Sequence, residues 1–542
     1  MISKKHLLPI SMALSALLFT PVPILADFGS KHDKNRVPKN ARKGPRPSRQ
    51  QPFDFSEIFN TVQILEAGAV ERHLGGHLEQ SELEAMDPIE AYVHAFEEGD
   101  ELFEMNYNAL DGVGVNVGNG KRFTSFPRPD LKGPMAWANI LPHRTTGPNG
   151  DSCISCHNVP VADGGGGVND NVIRMDPERK QKGFIERQSP HLFGMGAVQL
   201  VAEEMTTELH TLRDDAISES CNSGESHIVK MITKGVNFGE ISVSCGNVNY
   251  DNLDGIDTDL VVRPFEWKGL TGYVRAFVRG AAHQELGMQA TELVGDADSD
   301  FDSVTNELSV GDITALAIYN AAQPRPVTKL ELNSVISTLS EEEQEIYGLP
   351  LSEADIAGIQ NGEVIFNSID CASCHSPEME VASPIFYEPS KHASFRDETY
   401  PAGDIAGLPT TSLQFNLLTD ILDNPQELAS GQTLGQFEES ENGGAIVRLY
   451  GDLKRHDMGR AMAEEFDEGN VGASVFLTEN LWGVGSTAPY LHDGRATTMT
   501  EAILYHGGEA QSSKEQFDAL SDTEKADLLS FLNNLVLYLA PE

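Results

Sequence analysis

Cysteine, tryptophan, basic residues and long apolar runs are all scarce in this chain. Six cysteines in 542 residues are too few for a fold stapled mainly by disulfides. Basic residues number 39 against 82 acidic ones, for a net charge of −43. That balance excludes nucleic acid, disfavours anionic membrane surfaces and suits a cationic partner. After the N-terminal stretch nothing approaches the roughly 20 consecutive apolar residues of a spanning helix, so no integral membrane segment is expected in the mature chain. Tryptophan occurs only at Trp137, Trp267 and Trp482. The length suits two or three domains, with room to bury large groups.

The N-terminus has Lys4 and Lys5, then an apolar stretch, then the small residue Ala26, which reads as a signal peptide over residues 1–26. A retained anchor is the alternative, though prolines interrupt the stretch. Residues 27–85 are expected to be a disordered leader, basic at its start, where Lys31, Lys34, Arg36, Lys39, Arg42, Lys43, Arg46 and Arg49 stand among prolines.

Four of the cysteines fall in two runs, Cys153-Ile154-Ser155-Cys156-His157 and Cys371-Ala372-Ser373-Cys374-His375. Each is a CxxCH, the pattern of covalent haem attachment. Two thiols two residues apart can add to the vinyl groups on one porphyrin edge, and the next residue swings an imidazole beneath the iron. Two copies imply two covalently bound haem c groups. A zinc knuckle would gather its ligands within a few tens of residues, and a redox dithiol gives no reason for a histidine after both pairs. As the resemblance to known cytochromes implies, such haem is attached outside the cytoplasm, so a periplasmic or otherwise exported protein is expected. There Cys221 and Cys245 are expected to pair, the alternative being two unrelated thiols.

Glu98-Gly99-Asp100-Glu101-Leu102-Phe103 precedes the first CxxCH as Asn361-Gly362-Glu363-Val364-Ile365-Phe366 precedes the second. Ser521 and Glu524 form a capping box, and Leu528, Phe531, Leu532 and Leu535 recur at helical spacing, predicting a closing helix from Ser521 to Tyr538. The expected fold is mainly α, with two cytochrome c-like haem domains joined to long loops. The first, with an insertion, spans 90–345 and the second 350–542. Gly164 to Gly167 reads as a flexible loop, since a phosphate cradle would need a following helix and lysine.

An iron with one protein ligand is open to small molecules, whereas one with two is an electron-transfer centre. For the second haem, Met499, Ala502, Ile503 and His506 share one stripe of a helix capped by Thr498 and Glu501 and ended by Gly507-Gly508. The inward-pointing His506 is a ligand or a core histidine bonded to a carbonyl; His456 and Met458 compete with it. For the first haem, His191, His283 and Met288 are candidates, each also explained by packing.

Ser486-Thr487-Ala488-Pro489-Tyr490-Leu491-His492-Asp493-Gly494-Arg495 is similar to the "APYxHDG" segment of the bacterial di-haem cytochrome c peroxidase superfamily, and the chain resembles its di-haem oxidoreductase branch. Thr146-Gly147-Pro148-Asn149, Ser189-Pro190-His191-Leu192-Phe193-Gly194, Val262-Arg263-Pro264-Phe265-Glu266-Trp267-Lys268-Gly269 and His283 through Gln289 extend the likeness. The resemblance implies a distal ligand fourteen positions after His492, which is His506, with His492 as a supporting group. It also implies a histidine soon after the first attachment site, yet none occurs between His157 and His191, a departure that favours an open first iron. Glu203-Glu204-Met205 is similar to the family's catalytic Glu-Met and implies Glu204 as proton carrier, although paired glutamates also make a solvated face. A tryptophan between the haems is common in the superfamily, and Trp267 is the candidate, with Trp137 and Trp482 as alternatives.

Asp296, Asp298, Asp300, Asp302 and Glu307 take positions 1, 3, 5, 7 and 12 of an EF-hand-like loop, the oxygen spacing for Ca²⁺. Phe301 replaces the usual glycine, so a plain acidic loop stands beside the calcium reading. Together these features predict an exported di-haem enzyme. It would reduce peroxide or a similar small oxidant at the first haem, with electrons relayed by the second from a small redox protein or other donor. A non-catalytic electron carrier and an oxidase or oxygenase of an organic substrate are the alternatives.

Overall fold

The structure is a computed structural model that describes residues 72–114, 149–159, 164–167, 171–174, 184–295, 304–397, 411–422, 433–465 and 467–540, besides 409, 428 and 431. The expected signal peptide, the basic part of the leader, Trp137 and the loop residues Asp296, Asp298, Asp300 and Asp302 lie outside them. The helices that build the site are α1 (Pro88–Glu104), α2 (Met195–Ser223), α3 (Val274–Ala281), α4 (Val310–Ala321), α5 (Glu353–Ser368), α6 (Met499–Tyr505) and α7 (Asp522–Asn534). Between them the described residues form six antiparallel sheets of two or three strands. The fold is therefore mixed helix and sheet rather than mainly α.

Two helix crossings repeat one device. Asp87 caps α1 by accepting from Ile89 N, and Pro88 occupies the first helical position, where no N–H is needed. At Gly99 the helix meets α4 so closely that a Cβ would lie 2.3 Å from the Ala315 carbonyl oxygen. Ser352 and Asp355 make a reciprocal capping box on α5, and a Cβ on Gly362 would lie 2.0 Å from the Asp527 oxygen of α7. One turn beyond each glycine, Phe103 and Phe366 pack near His157 and His375, with ring centroids 6.2 and 6.4 Å apart. The two motifs noted before the CxxCH runs are thus helices that cross a partner at glycine and present phenylalanine to the histidine.

The capping boxes read from sequence at Thr498–Glu501 and Ser521–Glu524 are both formed. The closing helix stops at Asn534, short of Tyr538, because Leu535–Val536 pair as a strand with Val327–Thr328. The described end of the supposed leader is folded. Gln80–Ala85 is helical, and Leu74, Leu78 and Leu83 are buried in the main core. Apolar packing also crosses the expected boundary at 345–350, since Met379, Val381, Phe415, Val447 and Trp482 join the core of the first half.

The largest sheet follows α2. Strands β1 (His227–Thr233), β2 (Val236–Ser244) and β3 (Asn247–Leu253) form a meander. Lys234 and Gly235, with φ of 45° and 84°, make the first turn, a conformation that suits a two-residue hairpin. Met231, Phe238, Ile241 and Val243 face the core. Cys221 at the end of α2 is disulfide-bonded to Cys245 in the second turn, a closure that stabilises by about 3 kcal/mol on chain-entropy grounds. A buried ion network holds α3. Arg275 binds Glu292 and Glu388 at 2.5 and 2.9 Å and donates to Thr314 of α4. Within the described residues no helix is long and apolar enough to cross a membrane.

Adding a methyl group at Gly362 forces α5 away from α7. Gly362→Ala is expected to destabilise the protein by about 1–3 kcal/mol in chemical denaturation. A methyl group at Gly76 meets nothing within 4 Å, so Gly76→Ala should leave the denaturation midpoint unchanged.

Candidate functional site

Each CxxCH folds as a single 3-10 turn, Cys153–Ser155 and Cys371–Ser373, which brings the following histidine under a cavity. Burial pushes the Cys153 thiol up to about 12 and the Cys371 thiol to about 11. Neither has the lowered pKa of a reactive dithiol or a metal-binding thiolate.

The second cavity, about 260 Å³, is lined by Cys371, Cys374, His375, Phe366, Ile369, Met499, Ile503 and His506, among others. His375 Nδ1 lies 3.1 Å from the Tyr450 carbonyl oxygen and His506 Nδ1 2.8 Å from that of Ala502. A ring that donates through Nδ1 keeps its lone pair on Nε2, and burial keeps both imidazoles neutral, with His375 lowered to about 4 and His506 also lowered. Their ring centroids are 6.5 Å apart. Two imidazoles bound through Nε2 on opposite sides of one metal, with bonds of about 2.0 Å, place their centroids about 6.3 Å apart, so the pocket fits an iron between them. His506 is therefore carbonyl-bonded, as a core histidine would be, and still faces His375.

The first cavity, about 80 Å³, is lined by Cys153, Cys156, His157, Phe103, Ala281, Ala282, Glu285 and Leu286, among others. His157 Nδ1 lies 3.1 Å from the Gly165 carbonyl oxygen, and burial lowers the ring to about 4. The glycine run is thus a tight turn beneath the histidine. Gly164 and Gly167 have φ of 128° and 83°, and a Cβ on Gly166 would lie 2.7 Å from His191 N. On the other wall α3 runs into a π-turn, Ala282–Leu286, a local widening common at functional sites. Glu285 in that turn accepts from Asn149 Nδ2 at 2.7 Å. Among the described residues lining this cavity, His157 is the one histidine and there is no methionine.

The two cavities are separated by Ser189–Leu192. Ser189 and Leu192 line the first, Pro190 and His191 the second. This segment is tied down on all sides. Leu192 N donates to Gly164 O and His191 Nε2 to Trp482 O, while Gln188 O accepts from Trp267 Nε1 and Gln188 N donates to His492 O. Trp267 lies on the wall of the second cavity beside His492, ring centroids 6.4 Å apart. His492 stacks at 4.3 Å on Phe476, whose ring also receives the buried Lys268 ammonium at 3.8 Å.

Other residues singled out in the sequence lie elsewhere. Glu204 does not line either cavity. Its carboxylate pairs with Lys234 at 2.6 Å and accepts from Ala382 N and Ser383 N, tying α2 to the strand Met379–Val381. His456 spends both ring nitrogens on Asp452 and Glu509, each at 2.8 Å, so it is not placed as a haem ligand. Burial would lower it, but Asp452 and Cys374 outweigh burial and lift it to about 11. Met458 also lines the second cavity. His283 and Met288 are buried outside the first cavity, and Trp482 packs on Phe437. Glu307, the one described residue of the calcium pattern, is buried and accepts from Gln289 N at 2.7 Å.

Sequence reading missed Glu266 and Glu479. Burial lifts Glu479 to about 7; burial and then Glu468 lift Glu266 to about 7. The signal was available, since each is a lone acid in an otherwise apolar or aromatic run.

Residues 426–535 match the family described as "Di-haem oxidoreductase, putative peroxidase". They contain His456, His492 and His506. The likeness is confined to this C-terminal region. That family implies haem as the cofactor, and both cavities fit one by their apolar walls, thiol pairs and neutral imidazoles. Among solved structures, the xenon-pressurized hydrazine synthase of Kuenenia stuttgartiensis is 11% identical, with 94% of this chain and 100% of that chain covered and a TM-score of 0.33. A MauG-like protein associated with microbial copper homeostasis is 16% identical over 53% of this chain and 76% of that chain, with a TM-score of 0.25. No curated protein matches the chain.

A carboxyl held near 7 in the folded state and near 4.5 when unfolded contributes stability in full below the lower value. That contribution is lost as pH rises through the higher one, because the unfolded chain releases its proton first. Glu479→Gln should therefore gain stability relative to the parent between pH 4.5 and 7 and hold that gain above 7, as read from denaturation midpoints across pH.

Proposed function

We propose that the chain is an exported di-haem c-type oxidoreductase that reduces peroxide or a similar small oxidant. The observation that carries this reading is the unequal equipment of the two cavities. Two neutral imidazoles, His375 and His506, face each other across the second, while His157 is the only described histidine on the first. Cys153 with Cys156 and Cys371 with Cys374 would hold the haems through thioethers. Bound there, haem would supply electron relay at the second site, held by His375 and His506, and oxidant binding at the first, held by His157.

The protein's own residues supply the rest. The Gly165, Tyr450 and Ala502 carbonyls orient the three imidazoles and keep Nε2 available. Phe277, Ala281 and Leu192 exclude bulk water from the first cavity. The one carboxylate among its described lining residues is Glu285, held by Asn149. In place of Glu204, it is the group positioned to move a proton between the two peroxide oxygens. Ser189–Leu192 contributes residues to the walls of both cavities. The acidic surface favours a small cationic redox protein as donor, with association weakened by salt. The N-terminal pattern and thioether chemistry support export.

Absorption and spin-resonance spectra of the purified holoprotein are expected to show one low-spin centre and one high-spin centre that binds cyanide. His506→Ala converts the low-spin signal to high-spin. Glu285→Gln lowers peroxide turnover with a reduced small cytochrome by roughly 10²-fold or more, while Glu204→Gln leaves it unchanged. Two low-spin centres inert to cyanide and peroxide would leave an electron carrier instead.

A further inference from the structure

A third cavity, about 60 Å³, shares Leu192 and Phe277 with the first and His191, Trp267, Glu479 and Asn480 with the second. Its walls carry more polar groups than the protein satisfies. His191 donates through Nε2 to Trp482 O, and its Nδ1 is buried with no hydrogen-bond partner. Asn480 Oδ1 is likewise buried and unpartnered. Glu266, whose backbone sits at φ 69°, a strained value for a long side chain, has one carboxylate oxygen on Thr271 Oγ1 at 2.6 Å. Orphan polar atoms around a space of this size call for ordered water.

We propose that this chamber is a proton store serving both haem cavities, in which Glu266 and Glu479 hold the protons that accompany electron uptake. The inference rests on the di-haem reading. Peroxide takes two electrons and two protons to become two waters. The electrons come from the external redox protein, and each protonated carboxyl releases one proton, becomes a carboxylate and is recharged from solvent. Two carboxyls match two protons. In a poorly solvated chamber an added electron nearby raises the affinity of a carboxylate for a proton.

Burial holds both carboxyls at about 7, so each is divided between its two forms at neutral pH. Glu479 is raised by burial alone, whereas Glu266 also feels Glu468, which raises it, and Arg187, which lowers it. His191 is the other titratable group on the chamber wall; across the second cavity stand His456, His492 and Glu509. Burial lowers His191 and His492 to about 4 and His456 is lifted to about 11, which leaves those three outside the neutral range.

The test is made on the holoprotein without peroxide. Reduction in weakly buffered solution at pH 7 should draw protons from the medium. The reduced-minus-oxidised infrared difference spectrum should show a protonated-carboxyl C=O band that shifts in heavy water. Glu266→Gln with Glu479→Gln should lose the band and most of the uptake, while Glu342→Gln, on an exposed helix end, should lose neither. Restoring a carboxyl with Glu479→Asp in the Glu266→Gln background should recover part of both. Undiminished uptake in the double variant, or no uptake by the parent, overturns the proposal. A parent that takes up protons but does not turn over peroxide leaves the store standing and removes the peroxide function.

Discussion

Two cavities stand on either side of one segment of chain, and the walls of both depend on where that segment is held. Ser189 and Leu192 line the first cavity, and Pro190 and His191 line the second. The segment holds its place because main-chain and side-chain groups bind it from the glycine turn at 164–167, from Trp267, from Trp482 and from the loop at His492. Those four anchors come from both halves of the sequence. The halves are correspondingly packed into a shared core rather than left as two beads.

The imidazoles show how burial becomes chemistry. A histidine in water divides between charged and neutral forms near pH 6.5. Here burial disfavours the cation, and a main-chain carbonyl on Nδ1 chooses the tautomer. The same two effects give His157, His375 and His506 a lone pair on Nε2. His456 shows the opposite outcome. Flanked by Asp452 and Glu509, it is held as a cation and withdrawn from ligand duty. Burial acting on Glu266 and Glu479 favours the neutral acid instead, which sets proton carriers beside the ligands.

Much of the site was legible because its chemistry is local. CxxCH states tether and ligand within five residues, and capping boxes at Thr498 and Ser521 announce helices within four. The helix stripe and the family resemblance both reached His506, since the first depends on turn geometry and the second on a short run around His492. Glu204 misled because a Glu-Met pair specifies nothing about what stands opposite it; in the fold that is Lys234 and the turn at Ala382. The meander after Cys221 was passed over because its Gly, Ser and Asn content masked an alternating apolar pattern, although the two-residue turn at Lys234-Gly235 carried the signal.

Composition and spacing alone determined the acidic balance, the two CxxCH turns and the helices that bracket each histidine, and they favoured the pairing of Cys221 with Cys245 that the structure shows. These are properties of residues near one another in the chain, or of the chain as a whole. Tertiary structure decided which histidines oppose each other, which carboxylates are buried, and that Ser189–Leu192 divides two cavities. Such outcomes rest on groups brought together from distant positions, where burial and neighbouring charge, not residue type, set the protonation state and therefore the role.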